Sequence, residues 1–258
     1  MKKDYEMDDY GVNNKMRLKI KLESKKHLHI PFNYNHILSS VIYNKIADLN
    51  LANELHSSTS FKFFTFSQIN IQERKMVKSG FISKNGVISF QIASPNEYLI
   101  KSLVEGYLED LQVNFKGQNL FVEKIELLPI PKFENEMKFK TISPIIIRTK
   151  KEIDGDLKTW DLNPSDPSFY INLEKNLVKK YNKLYDKEIA TDNIKITSEM
   201  KFVKGKRIAI KKGNIKTYNK AFMMDIAIKG DKNLIKFGYD CGLGEKNSLG
   251  FGMIDLDD

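Results

Sequence analysis

The sequence predicts an α+β protein of two similar units in tandem, each running strand, helix, strand, strand, helix, strand. Two observations carry this. Stretches with apolar residues at every second position alternate in that order with stretches at helical spacing, and the order partly repeats after the pair Pro129 and Pro131. The 258-residue length suits two ordinary domains.

In the first unit Met16, Leu18, Ile20 and Leu22 alternate with Arg17, Lys19 and Lys21, giving a strand with one apolar and one basic face. After Pro31, Leu38, Val41, Ile42 and Ile46 recur at helical spacing between Asn35 and Asp48, and a shorter helix is expected from Leu49 to His56. Phe61 to Ile71 is rich in aromatics and reads as a strand. Phe81–Ser83 and Val87–Ala93 flank Asn85-Gly86, a pair suited to a tight hairpin turn. Ser94-Pro95-Asn96-Glu97 supplies an N-cap, a proline at the first helical position and a capping-box acid for a helix to about Asp110. A strand from Leu120 to Leu127 closes the unit. This is the βαββαβ order of ferredoxin-like (RRM-like) folds, in which two helices cover one face of an antiparallel sheet and leave the other open to a ligand.

The second unit is expected to hold strands at Met137–Ile147, Ile194–Val203, Ala221–Ile228 and Leu249–Leu256. Its helices should be Asp166-Pro167 to about Tyr185, and Lys232 to Tyr239. Residues 1–15 read as a flexible leader, 16–130 as an N-terminal domain and 131–258 as a C-terminal one.

Composition excludes several classes. With 41% hydrophobic residues, 16 Phe and 11 Tyr, the chain can bury a core, so it is not a disordered or fibrous protein. No apolar run reaches the ~18 residues of a membrane span, and the first residues lack the apolar core of a secretory signal. The one cysteine, Cys241, excludes an internal disulfide framework and fits a reducing cytoplasm. Lys and Arg number 42 against 33 Asp and Glu, a net charge of +9 that suits a polyanionic partner, although a lysine-rich surface alone gives the same balance. The charge is concentrated. Lys201, Lys204, Lys206, Arg207, Lys211, Lys212, Lys216 and Lys220 occupy a stretch without an acid, punctuated by Gly205 and Gly213, as expected of a phosphate-gripping hairpin or loop. The plainer reading is a solvated surface loop.

Near the C-terminus, Gly242, Gly244, Gly250 and Gly252 bracket Lys246, Asn247 and Ser248. Glycines at this density admit positive φ and allow bare N–H groups to approach a ligand. The stretch is not a dinucleotide fingerprint, because Asn247 stands where the third glycine belongs and a strand follows, and it lacks the Gly-Lys-Ser/Thr of a P-loop. No metal-binding cluster of Cys and His and no His-Glu-x-x-His motif occurs.

The run from Phe237 through Gly242-Leu-Gly244-Glu-Lys-Asn-Ser-Leu-Gly250-Phe-Gly252-Met resembles the C-terminal signature of the CRISPR-associated endoribonucleases that cut precursor CRISPR RNA within its repeats. The resemblance extends to Met16–Leu22, to Ile30-Pro-Phe-Asn through Tyr43-Asn44, and to Ile142-Ser-Pro144-Ile. It implies two ferredoxin-like domains, a glycine loop that contacts RNA, and a metal-independent reaction with no cofactor. In that reaction the 2′-OH attacks the scissile phosphate, leaving a 2′,3′-cyclic phosphate and a 5′-OH. It further implies a partner, repeat RNA, an association with an RNA-guided interference complex, and a monomer or homodimer. The family's Tyr, His and Lys fall on Tyr43, His56 and Lys62. Such chemistry needs a base, an acid and a cation for the charged transition state. His36, near the start of the first helix, is the rival to His56, and His27 and His29 are solvated or phosphate-contacting. Tyr43 as plain core, Lys62 as a solvated strand residue and His56 as a helix-end cation are the structural alternatives. A binding module of the same fold, holding RNA without cutting it, is the alternative function.

Overall fold

The computed structural model describes residues 17–57, 61–212 and 215–257. The leader, Met16 and Gly213 lie outside them, as do the side chains of His56, Lys201, Lys211, Lys212 and Lys216. In chain order the first half contains β1 (Arg17–Glu23), β2 (Leu28–Pro31), α1 (Asn35–Asn44), α2 (Leu49–Ser57), β3 (Thr65–Phe66), β4 (Arg74–Val77), β5 (Gly80–Ser83), β6 (Val87–Ala93), α3 (Glu97–Glu109), β7 (Gln112–Phe115) and β8 (Gln118–Leu127). The second contains β9 (Glu136–Thr141), β10 (Arg148–Ile153), β11 (Asp156–Asp161), α4 (Pro167–Tyr185), β12 (Ile194–Thr197), β13 (Lys204–Lys212), β14 (Ile215–Met223), β15 (Asp225–Gly230), α5 (Lys232–Cys241) and β16 (Ile254–Leu256).

The two main sheets share one topology. Their orders are β3-β6-β1-β8-β7 and β12-β15-β9-β16, which is 2-3-1-4 in the βαββαβ units once the extra edge strand β7 is set aside. The fold is therefore two tandem ferredoxin-like units. In the first, Leu18, Ile20, Leu22, Ile88, Phe90 and Ile92 pack beneath Leu38 and Ile42 of α1 and Leu99, Leu103 and Tyr107 of α3. In the second, Phe139, Ile196, Ile226 and Ile228 meet Phe169, Leu173 and Leu177 of α4 and Leu234 and Ile235 of α5. Period-2 strands against helices with apolar residues three and four apart place these faces together.

Several local expectations need correction. Asn85-Gly86 is not a hairpin turn between paired strands: β5 pairs with β2 and β4, whereas β6 pairs with β1 and β3. The turn is a corner between sheets, and Gly86 fits because a Cβ there would lie 2.3 Å from the Ser24 carbonyl oxygen. The cap of α3 is Asn96, whose side chain accepts from Leu99 N–H, so Pro95 precedes the helix instead of opening it. Within Phe61 to Ile71 only β3 is a strand of the main sheet, since Phe63 takes φ +45° and Asn70 forms an isolated bridge to Ser89. The long strand expected at Ala221–Ile228 divides into the end of β14 and β15, and Ile142–Ile147 leave β9 as irregular chain.

The basic face of β1 is only partly open. Arg17 is 1% exposed, and its guanidinium lies 3.6 Å from the centre of the Tyr239 ring. It donates to the Tyr239 and Ile254 carbonyls at 3.0 and 2.9 Å and pairs with Asp255 at 3.2 Å. The second half thus covers one end of the first sheet's free face. Farther along, Lys19, Lys21 and Lys124 still line an open depression of about 230 Å³. No helix among the described residues is long and apolar enough to cross a membrane.

Candidate functional site

The glycine loop joins α5 to β16 and lies against the first half. Gly242, Gly244, Gly250 and Gly252 have φ of +82°, +68°, +79° and +78°, and all four are buried. Close packing explains three of them directly; a Cβ on Gly244 would sit 2.3 Å from the Ile146 carbonyl oxygen. A Cβ on Gly250 would sit 2.3 Å from the Phe66 ring, and one on Gly252 would sit 1.9 Å from the Leu243 carbonyl oxygen. The N–H groups of Gly242, Gly250 and Gly252 bond to the carbonyls of Gly238, Asn247 and Pro144. The expectation of bare glycine N–H groups turned toward a ligand therefore fails at these three positions, where the glycines shape the loop. Its accessible part is Glu245–Leu249, with Lys246 itself left-handed at φ +59°.

Asn247 is also turned inward. Its amide donates to the carbonyls of Leu243 and Phe251 at 3.0 and 2.9 Å, and its Oδ1 accepts from Lys180 Nζ at 3.0 Å. Helix α1 reads the loop with residues four apart, which share a helical face. Asn35 donates to the Leu249 carbonyl at 2.8 Å and Ser39 to the Ser248 carbonyl at 3.0 Å, while the Tyr43 phenol lies beside the Ser248 side chain. Desolvation pushes the Tyr43 phenol up to about 12, and the neighbouring Ser248 side chain opposes that shift.

Lys62 reaches the same place. Its ammonium donates to the Leu55 carbonyl, next in the chain to His56, and lies 5.5 Å from the centre of the Tyr43 ring. The Tyr43 ring in turn stands edge-on to Phe64 at 5.7 Å. A cleft of about 240 Å³ opens here, lined by Phe61, Lys62, Arg148, Lys180, Lys246 and Ser248 among others. Arg148 and Glu245 form a two-point pair on its rim, Arg148 Nε to Oε2 at 2.7 Å and Arg148 N–H to Oε1 at 3.0 Å. Lys246 donates to Asn219 of β14, and desolvation followed by Arg148 lowers its pKa.

That contact joins the cleft to the basic arm, which is a hairpin of β13 and β14. Lys204, Lys206 and Arg207 are exposed on it; Arg207 stacks on Tyr218 at 4.5 Å, and Lys206 reaches Gln68 at 3.1 Å. Desolvation, then Arg74 and Lys204, lower the Lys206 pKa. Of the predicted residues, then, the structure gathers Lys62, Lys246 and Ser248 at one cleft, with Tyr43 behind Lys62 and Ser248 and outside the cleft's lining, and sets Lys204, Lys206 and Arg207 on the adjoining arm. His56 lies in the last turn of α2, its side chain outside the described residues, as are those of Lys211 and Lys212. His36 is exposed on α1, two helical turns or roughly 10 Å from Tyr43, and is not part of the cleft's described lining. His27 and His29 bind Lys84 and Ser79 in the small β2-β5-β4 region.

Sequence reasoning passed over Lys180, Arg148, Glu245 and the β10–β11 hairpin. Asp154-Gly155 was a readable turn signal for the hairpin. Lys180 also left a trace, because it interrupts the apolar stripe of Leu173, Leu177 and Tyr181 on α4.

The model for the CRISPR-associated protein Cas6 N-terminal region matches residues 29–126, and that for the Cas6 C-terminal region matches residues 128–256. The chain belongs to the Cas6 family. It is 40% identical to the CRISPR-associated endoribonuclease Cas6 1 of Methanocaldococcus jannaschii, over 94% of this chain and 93% of the relative. It is 31% identical to the CRISPR-associated endoribonuclease Cas6 of Pyrococcus furiosus, over 88% of this chain and 84% of that one. Among solved structures, a RAMP protein binding different RNA substrates superposes with a TM-score of 0.81 at 29% identity, covering 94% of this chain and all of that one.

Proposed function

We propose that this Cas6 chain is an endoribonuclease that cuts precursor CRISPR RNA within its repeats, without a metal ion, leaving 2′,3′-cyclic phosphate and 5′-OH ends. The observation that carries the reading is the convergence of Lys62 and the loop residues Lys246 and Ser248 on one cleft continuous with a basic hairpin, with Tyr43 packed beside Lys62 and Ser248. In the reaction the 2′ oxygen forms a bond to phosphorus as its proton leaves, and the bond from phosphorus to the 5′ oxygen breaks as that oxygen gains a proton. His56 is the proton-transfer group, since an imidazole titrates near ~6.5 and serves either direction at neutral pH. Tyr43, held protonated by a pKa of about 12, orients the 2′-OH by hydrogen bonding and does not deprotonate it. Lys62 supplies the cation for the charged transition state. Lys246 and Ser248 hold the RNA backbone; Gly242, Gly244, Asn247, Gly250 and Gly252 serve that contact by shaping the loop. Lys204, Lys206, Arg207, Lys211 and Lys212 grip phosphates along the arm. Residues 16–130 carry the cleavage groups and 131–258 the loop, in a cytoplasmic enzyme that passes its product to an interference complex.

End-labelled repeat RNA tests the reading. Cleavage should proceed in EDTA and yield a cyclic-phosphate end, and His56→Ala should retain RNA affinity while losing on the order of 10²–10⁴ in rate. Activity abolished by EDTA and restored by a divalent ion would defeat the metal-free mechanism; full activity of the variant would promote His36. The likeness to a RAMP protein binding different RNA substrates favours one other reading, a Cas6 that holds RNA uncut. It predicts a shifted complex with RNA of unchanged length.

A further inference from the structure

Lys180 is the least expected side chain of the cleft. It sits on the core-facing stripe of α4, is 1% exposed, and yet ends in an ammonium. That ammonium donates to the Gly242 carbonyl at 2.6 Å, the Gly244 carbonyl at 3.2 Å and Asn247 Oδ1 at 3.0 Å. All three partners are neutral. Removing a cation from water is costly, and an apolar side chain at this stripe position would avoid that cost. Burial accordingly pushes the Lys180 pKa down, an effect Cys241 and Glu245 oppose. The three N–H donors of an ammonium do what an apolar group cannot: they draw oxygens from both ends of the Gly242–Asn247 turn onto one point.

The neighbour of Asn247 gives this contact its consequence. Ser248, the next residue, has its side chain beside the Tyr43 phenol, and its carbonyl accepts from Ser39 at 3.0 Å. Asn247 also spans the loop through Leu243 and Phe251. The contacts therefore run from Lys180 on α4 of the second half, through Asn247 and Ser248 of the loop, to Ser39 on α1 of the first, one turn before Tyr43.

We propose that Lys180 is a positioning residue for RNA cleavage: it anchors Asn247 and so holds Ser248 against Tyr43, without itself gripping the RNA. The proposal rests on the cleavage reading above. Loosening the anchor misplaces Tyr43 relative to the 2′-OH, and errors of about 1 Å in such groups cost up to about 100-fold in rate.

The experiment compares wild type, Lys180→Met, Lys180→Arg, Asn247→Ala and the double variant Lys180→Met/Asn247→Ala. Single-turnover cleavage of repeat RNA, affinity for the same RNA and hydrogen exchange of the 245–249 amides are measured, with thermal melting as the folding control. Lys180→Met should cut about 10- to 100-fold more slowly, keep its Kd within about threefold, and exchange faster at the loop. Lys180→Arg should recover much of the rate, and the double variant should be no slower than the worse single one. Wild-type cleavage by Lys180→Met, or a fall in affinity equal to the fall in rate, would overturn the proposal. If Lys180→Met does not fold, Asn247→Ala carries the same expectation of slowed cutting with retained binding, and wild-type cutting by it overturns the proposal. If the wild type binds RNA but never cuts it, the cleavage reading is what fails. Accelerated exchange in Lys180→Met then supports only the anchor, and unchanged exchange refutes the anchor as well.

Discussion

Replacing Gly250 by alanine tests whether the glycine loop is shaped by packing against the first half or only by its own backbone. Gly250 has φ +79° and ψ +46°, a left-handed conformation that costs an L-residue roughly 1–2 kcal/mol. Its added Cβ would lie 2.3 Å from the Phe66 ring, where carbon atoms prefer roughly 3.5–4.0 Å. Phe66 is fully buried in β3, so the ring has no open space to enter, and overpacking of this kind costs about 1–3 kcal/mol. The sum is roughly 2–5 kcal/mol. Gly117 supplies the control. It has φ +80°, and a Cβ added there would meet nothing within 4 Å, so Gly117→Ala carries only the backbone cost. Urea unfolding of both variants should show Gly250→Ala the less stable by about 1–3 kcal/mol. Equal losses would refute the argument that the loop is seated against Phe66, and with it the seating of Ser248 beside Tyr43.

Three further outcomes are expected. Arg17→Met should lower stability by about 3–5 kcal/mol in urea titration, because it leaves the Tyr239 and Ile254 carbonyls and Asp255 without their cation; a loss under about 1 kcal/mol would remove Arg17 as the tie between the halves. Alkali should destabilise the fold between about pH 10 and 12, because Tyr34 is raised from 10.0 to about 12 by burial. The unfolded chain then releases its proton first, so stability present below pH 10 is lost as pH rises, by about 2–3 kcal/mol for this one buried phenol; Tyr34→Phe should flatten that slope, and an unchanged slope would assign it elsewhere. Lys204→Ala/Lys206→Ala/Arg207→Ala should weaken RNA binding and reduce the slope of log K against log salt by roughly 2, measured by fluorescence anisotropy at several salt concentrations; an unaltered slope would mean the arm does not meet phosphates.

The repeated strand and helix order was legible because each main-sheet strand buries one face and each helix one stripe, so period and partner agree. The 2-3-1-4 topology followed from that order. Legibility ended where tertiary contact overrides local pattern. Arg17 alternates faultlessly with its apolar neighbours, yet its exposed-looking position is covered by Tyr239 from more than 200 residues away. Asn85-Gly86 has hairpin chemistry, but its flanking strands belong to different sheets, and nothing within four residues encodes that. The site divides in the same way. Tyr43, Lys62 and the loop were found through a motif, whereas Lys180 needed a question about burial: what a lysine was doing on an apolar stripe.

The loop's composition and its placement answer one physical problem. Two separate sheets can present one cleft only if the segment between them cannot shift, and an exposed flexible loop would shift. Four glycines permit a chain compact enough for Phe66, Leu243 and Ile146 to approach its backbone, and Asn247 with Lys180 cross-links that chain from within. Asn35 and Ser39 then fasten it to α1 one turn apart, and Tyr43 follows a turn later beside Ser248. The residues left half-exposed by this arrangement, Glu245 to Leu249, include Lys246 and Ser248 beside Lys62 and Arg148. Glycine content in this Cas6 chain therefore acts at one remove: it rigidifies the turn whose lysine and serine face the cleft.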